Sequence, residues 1–161
     1  MKATTTAALA AMVLVGSMTG AGPAAAAPTD ASAGPIAAAA PPATAAAVSA
    51  ALSKVGASYA SGAAGPDAFD CSGLTMWALS RADIAAPHSS YAQYAMGTAV
   101  PRSEIRRGDL VFFDSFGAGA SHVGIATSPT TAVSATNHGV MTHPIFDTYW
   151  GGHYVGARRL G

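Results

Sequence analysis

The order of patterns along this chain predicts an α+β domain, with helices first and an antiparallel sheet after them. Between residues 44 and 97 apolar side chains recur at helical spacing, set between capping residues and glycines. From residue 109 onward the pattern changes to short runs rich in Val, Phe, Ile and Thr, separated by turn residues. A length of 161 residues accommodates one domain with a real core and not two.

The N-terminus reads as a signal peptide over residues 1–26. Lys2 is the sole early charge, an apolar run follows from residue 7 to 15, and Ala24 and Ala26 suit cleavage before Ala27. That run is shorter than the roughly 20 apolar residues a membrane span needs, so stable membrane insertion is not expected. Residues 27–43 are Ala, Pro, Thr, Ser and Gly with almost no large side chains, and read as a disordered linker. The folded domain, 44–161, then opens with a helix capped by Thr44, with Val48, Leu52 and Val55 on one face and Gly56 at its end. Residues 57–69 read as a loop. A second helix runs from Asp70 or Cys71 to about residue 82, and a short third is capped by Ser89 or Ser90. Strands follow at 109–113, 122–127, 131–136, 140–145 and 154–158, with the helices packed on one side of the sheet.

Composition excludes some partners. Formal charge is zero and a tenth of the residues are charged. No basic stripe exists to neutralise phosphates, so nucleic acid is not an expected partner. The single cysteine is informative, because an exported protein meets an oxidising milieu where cysteines usually pair. A lone one is either a buried inert thiol or a nucleophile.

The local sequence favours the nucleophile. In Asp70-Cys71-Ser72-Gly73, Asp70 is a natural N-cap. It would set Cys71 at a helix start, where free N–H groups and the macrodipole favour a thiolate. Gly73 would leave room for a substrate backbone. A cysteine nucleophile needs a base. Of five histidines, His122 opens an apolar strand, facing away from Val123 and Ile125. His88, His138, His143 and His153 lie in turn-like or Gly/Pro-flanked settings and read as surface residues. No histidine spacing suggests a metal site, and no cofactor is expected. On spacing alone, a solvent-facing His122 stays open.

Four blocks in order resemble the NlpC/P60 family: Phe69-Asp70-Cys71-Ser72-Gly73-Leu74, Arg107-Gly108-Asp109-Leu110-Val111-Phe112-Phe113, Ser121-His122-Val123-Gly124-Ile125, and Tyr154-Val155-Gly156-Ala157-Arg158-Arg159. The resemblance implies a papain-like α+β fold and a Cys–His peptidase. It also implies action on peptidoglycan stem peptides, at the bond between D-glutamate and the diamino acid. By position, Cys71 matches the family nucleophile and His122 its base. Tyr59 matches a tyrosine lining the site, and Asp70 and Ser72 the residues flanking the cysteine; these three are the candidate substrate-binding or oxyanion residues. The third catalytic position, often histidine, falls on Ser134, with His138 the rival for orienting the base. Ser61 stands where the family often has tryptophan. A monomer is expected. Two rivals stay open: a wall-binding module without turnover, and an acyl or amide transferase using the same Cys–His pair.

Because residues 27–43 lack core-forming side chains, a chain beginning at residue 44 should melt within a degree or two of one beginning at residue 27. Calorimetry of the two checks this, and a drop of several degrees would show that the segment packs on the domain.

Overall fold

The computed structural model describes residues 42 to 161, with side chains from residue 44. The expected signal peptide and all but the last two residues of the expected linker lie outside the described residues.

The first helix, α1 (Pro42–Leu52), starts two residues before the expected cap. Proline's fixed φ suits the first helical position, where its missing amide would go unpaired anyway. Thr44 is therefore inside the helix, and buried. The expected stripe is also corrected: Ala47, Val48 and Ala51 form the buried face, whereas Val55 lies beyond the helix and is exposed. Small side chains carry this contact with the next helix. Part of the expected loop 57–69 is ordered as a two-residue parallel pair, β1 (Ser58–Tyr59) with β2 (Ala68–Phe69). Next come α2 (Cys71–Ser80), capped by Asp70, and α3 (Ser90–Tyr94), capped by Ser89.

The remaining strands are β3 (Thr98–Val100), β4 (Leu110–Phe113), β5 (His122–Ala126), β6 (Thr131–Thr136), β7 (Gly139–Pro144) and β8 (Tyr154–Arg159). They form one antiparallel sheet in the order β3-β8-β4-β5-β6-β7. The sequence reading lacks β3 and the short helix α4 (Thr148–Gly152), which Asp147 caps through the Trp150 amide at 2.6 Å.

Alternation along the strands sorts side chains into two cores. Leu110, Phe112, Val123, Ile125, Val133 and Ala135 meet Val48, Leu74 and Leu79 from the helices and Phe69 from β2. On the opposite face Val111, Phe113, Ala126, Ala132, Ile145 and Ala157 cluster with Trp150 of α4. The α+β expectation therefore agrees with the structure, with α4 added to the face that α1 and α2 leave open. Buried Asp109 holds the sheet's middle: its carboxylate oxygens accept from Nε and Nη2 of Arg159, each at 2.8 Å, tying β8 to the turn before β4.

The loop before α2 is seated on the helix start. The Asp70 amide donates to the Ala63 carbonyl at 2.8 Å, and a Cβ on Gly73 would collide with that same carbonyl oxygen. This corrects the expected purpose of Gly73: the space it leaves is filled by the protein's own loop and not by substrate. Gly73→Ala should therefore destabilise the fold by about 1–3 kcal/mol, as over-packing does. Urea unfolding of this variant beside Gly152→Ala, where a Cβ meets nothing, measures it.

Candidate active site

Asp70 is saturated by its own surroundings. Its Oδ1 accepts from the Gly73 amide (2.6 Å), from Nε2 of His88 (2.8 Å) and from Oγ of Ser72 (3.2 Å). Its Oδ2 accepts from the Gly62 amide at 2.8 Å. Burial pushes the Asp70 carboxyl upward, but the hydrogen bonds from His88, Gly73 and Gly62 outweigh it and hold the group below the ordinary carboxylate value. Behind it, fully buried Gln93 accepts from Thr75 Oγ1 (2.6 Å) and donates to the carbonyls of Ser72 (3.0 Å) and Pro87 (2.8 Å). The first turn of α2 is thereby locked from both sides. Ser72 faces inward to Asp70, and neither residue presents a side-chain atom free of partners.

Cys71 is half-buried at the first position of α2. The backbone amides of Val123, Ser72 and Cys71 act to lower its thiol pKa. Burial nevertheless dominates and, with the Asp70 charge, pushes the thiol above its ordinary value. The expected lowering at a helix start is thus outweighed by desolvation. Half-buried Tyr59 lies beside this pair: burial first, then the charges of Cys71 and Asp70, raises its phenol.

Val123 of β5 packs in the same core as Cys71, and the preceding residue is His122. Alternation turns Val123 and Ile125 into the helix-side core and His122 to the other face. There its imidazole is fully buried among aromatic rings. Phe113 lies at 6.0 Å, Phe116 at 5.2 Å, and Trp150 stacks at 5.4 Å. His122 Nε2 is 3.1 Å from Ser134 Oγ, and Ser134 Oγ is 2.8 Å from Nε2 of His143. His143 Nδ1 donates to the Pro144 carbonyl at 2.8 Å. Gly124 makes room for this contact, since a Cβ there would lie 3.1 Å from that of Ser134.

These bonds have a direction. A carbonyl only accepts, so neutral His143 keeps its proton on Nδ1 and its Nε2 accepts from the Ser134 hydroxyl. Ser134 then accepts from Nε2–H of His122. The His122 Nδ1 is left unprotonated, buried and without a hydrogen-bond partner. Burial, and then the neighbouring His143, lower the His122 pKa from its ordinary value to about 3. Burial also lowers that of His143, against opposing contributions from the Pro144 carbonyl and Asp147. At neutral pH the site holds a thiol and two uncharged imidazoles.

One sequence reading changes here, while His88 and His138 are exposed as expected. His143 is buried, with its ring stacked on Trp150 at 3.8 Å, and is not the surface residue expected. His88 is bound to Asp70. His138, the rival orienting residue, is exposed on the β6–β7 turn. It lines a cleft of about 480 Å³ with Ser115, Phe116, Thr136, Asn137, Met141, Tyr149 and Trp150. Neither Cys71 nor His122 lines it, but Phe116 and Trp150, whose rings lie against His122, do.

Comparison with known proteins gives a consistent result. Residues 56–159 match the NlpC/P60 family profile. The chain is 42% identical over 106 residues to the probable endopeptidase p60 of Listeria monocytogenes serovar 1/2a, covering 66% of this chain and 22% of that protein. It is 48% identical over 85 residues to a probable endopeptidase of Corynebacterium glutamicum, covering 53% of this chain and 39% of the other. A solved NLP/P60-family structure, similar to lipoprotein, from Staphylococcus aureus subsp. aureus Mu50 superposes with a TM-score of 0.66 at 31% identity, over 73% of this chain and 41% of that one. The chain thus spans less than half the length of each of these relatives.

The buried neutral histidine has a thermodynamic consequence. Unfolded, His122 titrates near 6.5; folded, near 3. Between these values the unfolded chain binds more protons, so stability is present above about pH 6.5 and is lost as pH falls through the window. The slope from this group approaches about 1.4 kcal/mol per pH unit. Urea midpoints measured from pH 7 to 5 should fall for the wild type and fall less steeply for His122→Gln.

Proposed function

The chain belongs to the NlpC/P60 family, and from that premise we propose that it is a cysteine peptidase that cuts peptidoglycan stem peptides. What carries the reading is the bare Nδ1 of His122, a buried basic nitrogen with no hydrogen-bond partner of its own, one residue before Val123, whose amide acts on the thiol of the chain's single cysteine. A buried polar atom left unsatisfied costs free energy, and a base awaiting a proton explains why it is tolerated here.

The chemistry follows in two steps. Cys71 Sγ attacks the scissile carbonyl while Nδ1 of His122 takes the thiol proton, giving a tetrahedral oxyanion beside an imidazolium. Amides at the start of α2, including that of Cys71, are the candidate oxyanion donors. His122 then returns the proton to the leaving amine, and a thioester on Cys71 remains. Water, deprotonated by the same nitrogen, hydrolyses the thioester and restores the thiol. Cys71, His122 and Ser134 carry this reaction, and Tyr59 lines the acyl side. The bond we propose is that between D-glutamate and the diamino acid, and the setting is extracytoplasmic, in keeping with the signal-like residues 1–26.

Incubating the protein with purified peptidoglycan and weighing the released fragments by mass spectrometry tests the reading. Fragments heavier by one water at a D-glutamyl bond are expected. Cys71→Ala should lower release by roughly a thousandfold or more, with melting nearly unchanged because alanine suits a helix start. Release by the alanine variant at the wild-type rate would sink the cysteine mechanism. Fragments joined to an added amine, in place of water, would favour the transferase, and no release at all the binding module.

A further inference from the structure

One member of the buried network is not used by the peptidase mechanism. His143 lies on β7 with both ring nitrogens engaged, one by the Pro144 carbonyl and the other by Ser134. Ser134 by itself is an ambiguous orienting group, because a hydroxyl both donates and accepts and its hydrogen rotates. Were that hydrogen aimed at His122 Nε2, the imidazole would carry its proton on Nδ1 and be unable to accept one from Cys71. We propose that His143 is a positioning residue: by drawing the Ser134 hydrogen onto its own Nε2, it fixes the His122 tautomer that leaves Nδ1 bare. The proposal rests on the peptidase reading for its consequence in catalysis, though the tautomer is a property of the resting protein.

The arrangement also serves the charged state. When His122 becomes an imidazolium, its Nε2–H donates to a hydroxyl that is itself donating, and bonds in such a chain polarise one another. Ser134 and His143 together then do what a single stronger acceptor would do, without any proton leaving its atom. The stacked Trp150 ring and the Phe113 edge, at 3.8 and 5.8 Å from His143, keep the pair dry. The groups packed around it are Asp147, whose charge acts on His143 across the α4 cap, and His122 itself.

The test combines nitrogen-15 NMR of the imidazoles with steady-state kinetics on solubilised peptidoglycan, using the full chain. In the wild type His122 should be the Nε2–H tautomer at pH 7.5. His143→Leu should mix the tautomers and lower kcat about tenfold, the worth of one buried hydrogen bond, with KM little changed. His143→Gln, whose amide oxygen can accept from Ser134, should recover most of the rate. In a Ser134→Ala background His143→Leu should cost little more, because the two act as one unit. A His122 tautomer that is the same in all variants, or losses that multiply independently, would overturn the proposal. If His143→Leu melts too low to assay, His143→Gln and the Ser134→Ala pair decide by the same criteria. A wild type that releases no fragment defeats the peptidase reading, while the tautomer still decides the relay.

Discussion

A backbone carbonyl accepts hydrogen bonds and never donates them, and at Pro144 that constraint sets the polarity of everything behind the candidate base. It fixes the proton of His143, then the hydroxyl of Ser134, then the proton of His122, and so leaves one nitrogen bare at the far end. The fold supplies what this chain of bonds requires. β6 and β7 pair from Thr136↔Gly139 to Thr131↔Pro144, which makes Ser134 and His143 diagonal neighbours on one face of the sheet. α4 then lays Trp150 across both imidazoles. A site of two neutral histidines survives burial because each polar atom but one has a partner.

The nucleophile is held by a separate device. Asp70 caps α2, clamps the loop at Gly62 and binds His88, so one carboxylate fixes the helix start, the loop before it and the segment after it. Gln93 repeats the arrangement from the other side of the same turn. Helix and sheet meet where Cys71, at the start of α2, packs into the core that holds Val123 of β5. The relative position of thiol and base therefore depends on α2 lying on β5, that is, on Leu74 and Ala78 packed against Val123 and Ile125.

What was legible in the sequence was local. A cap, a cysteine and a small residue in succession announce a helix start. The alternation of Ser121-His122-Val123-Gly124-Ile125 shows which way His122 points, and strand period alone puts Ser134 on a face shared with Thr136. Taken singly in the sequence, His143 is only a Pro-flanked residue. A two-residue turn at Asn137-His138 pairs Thr136 with Gly139, and counting back along that hairpin reaches His143 diagonal to Ser134. Gln93, Trp150 and the true purpose of Gly73 had no such signal, since each depends on a partner brought close only by the fold. The start of α1 differs because Pro42 belongs by composition to the linker, while its fixed φ suits a helix start. At position 134, where the resembled family often has histidine, the serine hydroxyl sits 3.1 and 2.8 Å from two imidazoles.

A base whose pKa has fallen to about 3 resists carrying a charge, and this bears on how such a site works. The thiol is raised by the same burial, so transfer of its proton to His122 at rest would create two charges in a dry place at considerable cost. The imidazolium becomes tolerable when an oxyanion forms nearby, because opposite charges a few ångströms apart attract strongly where water is absent. Proton transfer and attack are then coupled: neither is favourable without the other, and the bare thiol is protected from adventitious chemistry until a carbonyl lies against it. The amine that leaves must also be reached by Nδ1. The open cleft of about 480 Å³ shares Phe116 and Trp150 with the rings around His122, and is lined by no lysine, arginine or carboxylate. The charge generated at His122 is met by the oxyanion and by the hydrogen-bond chain behind it.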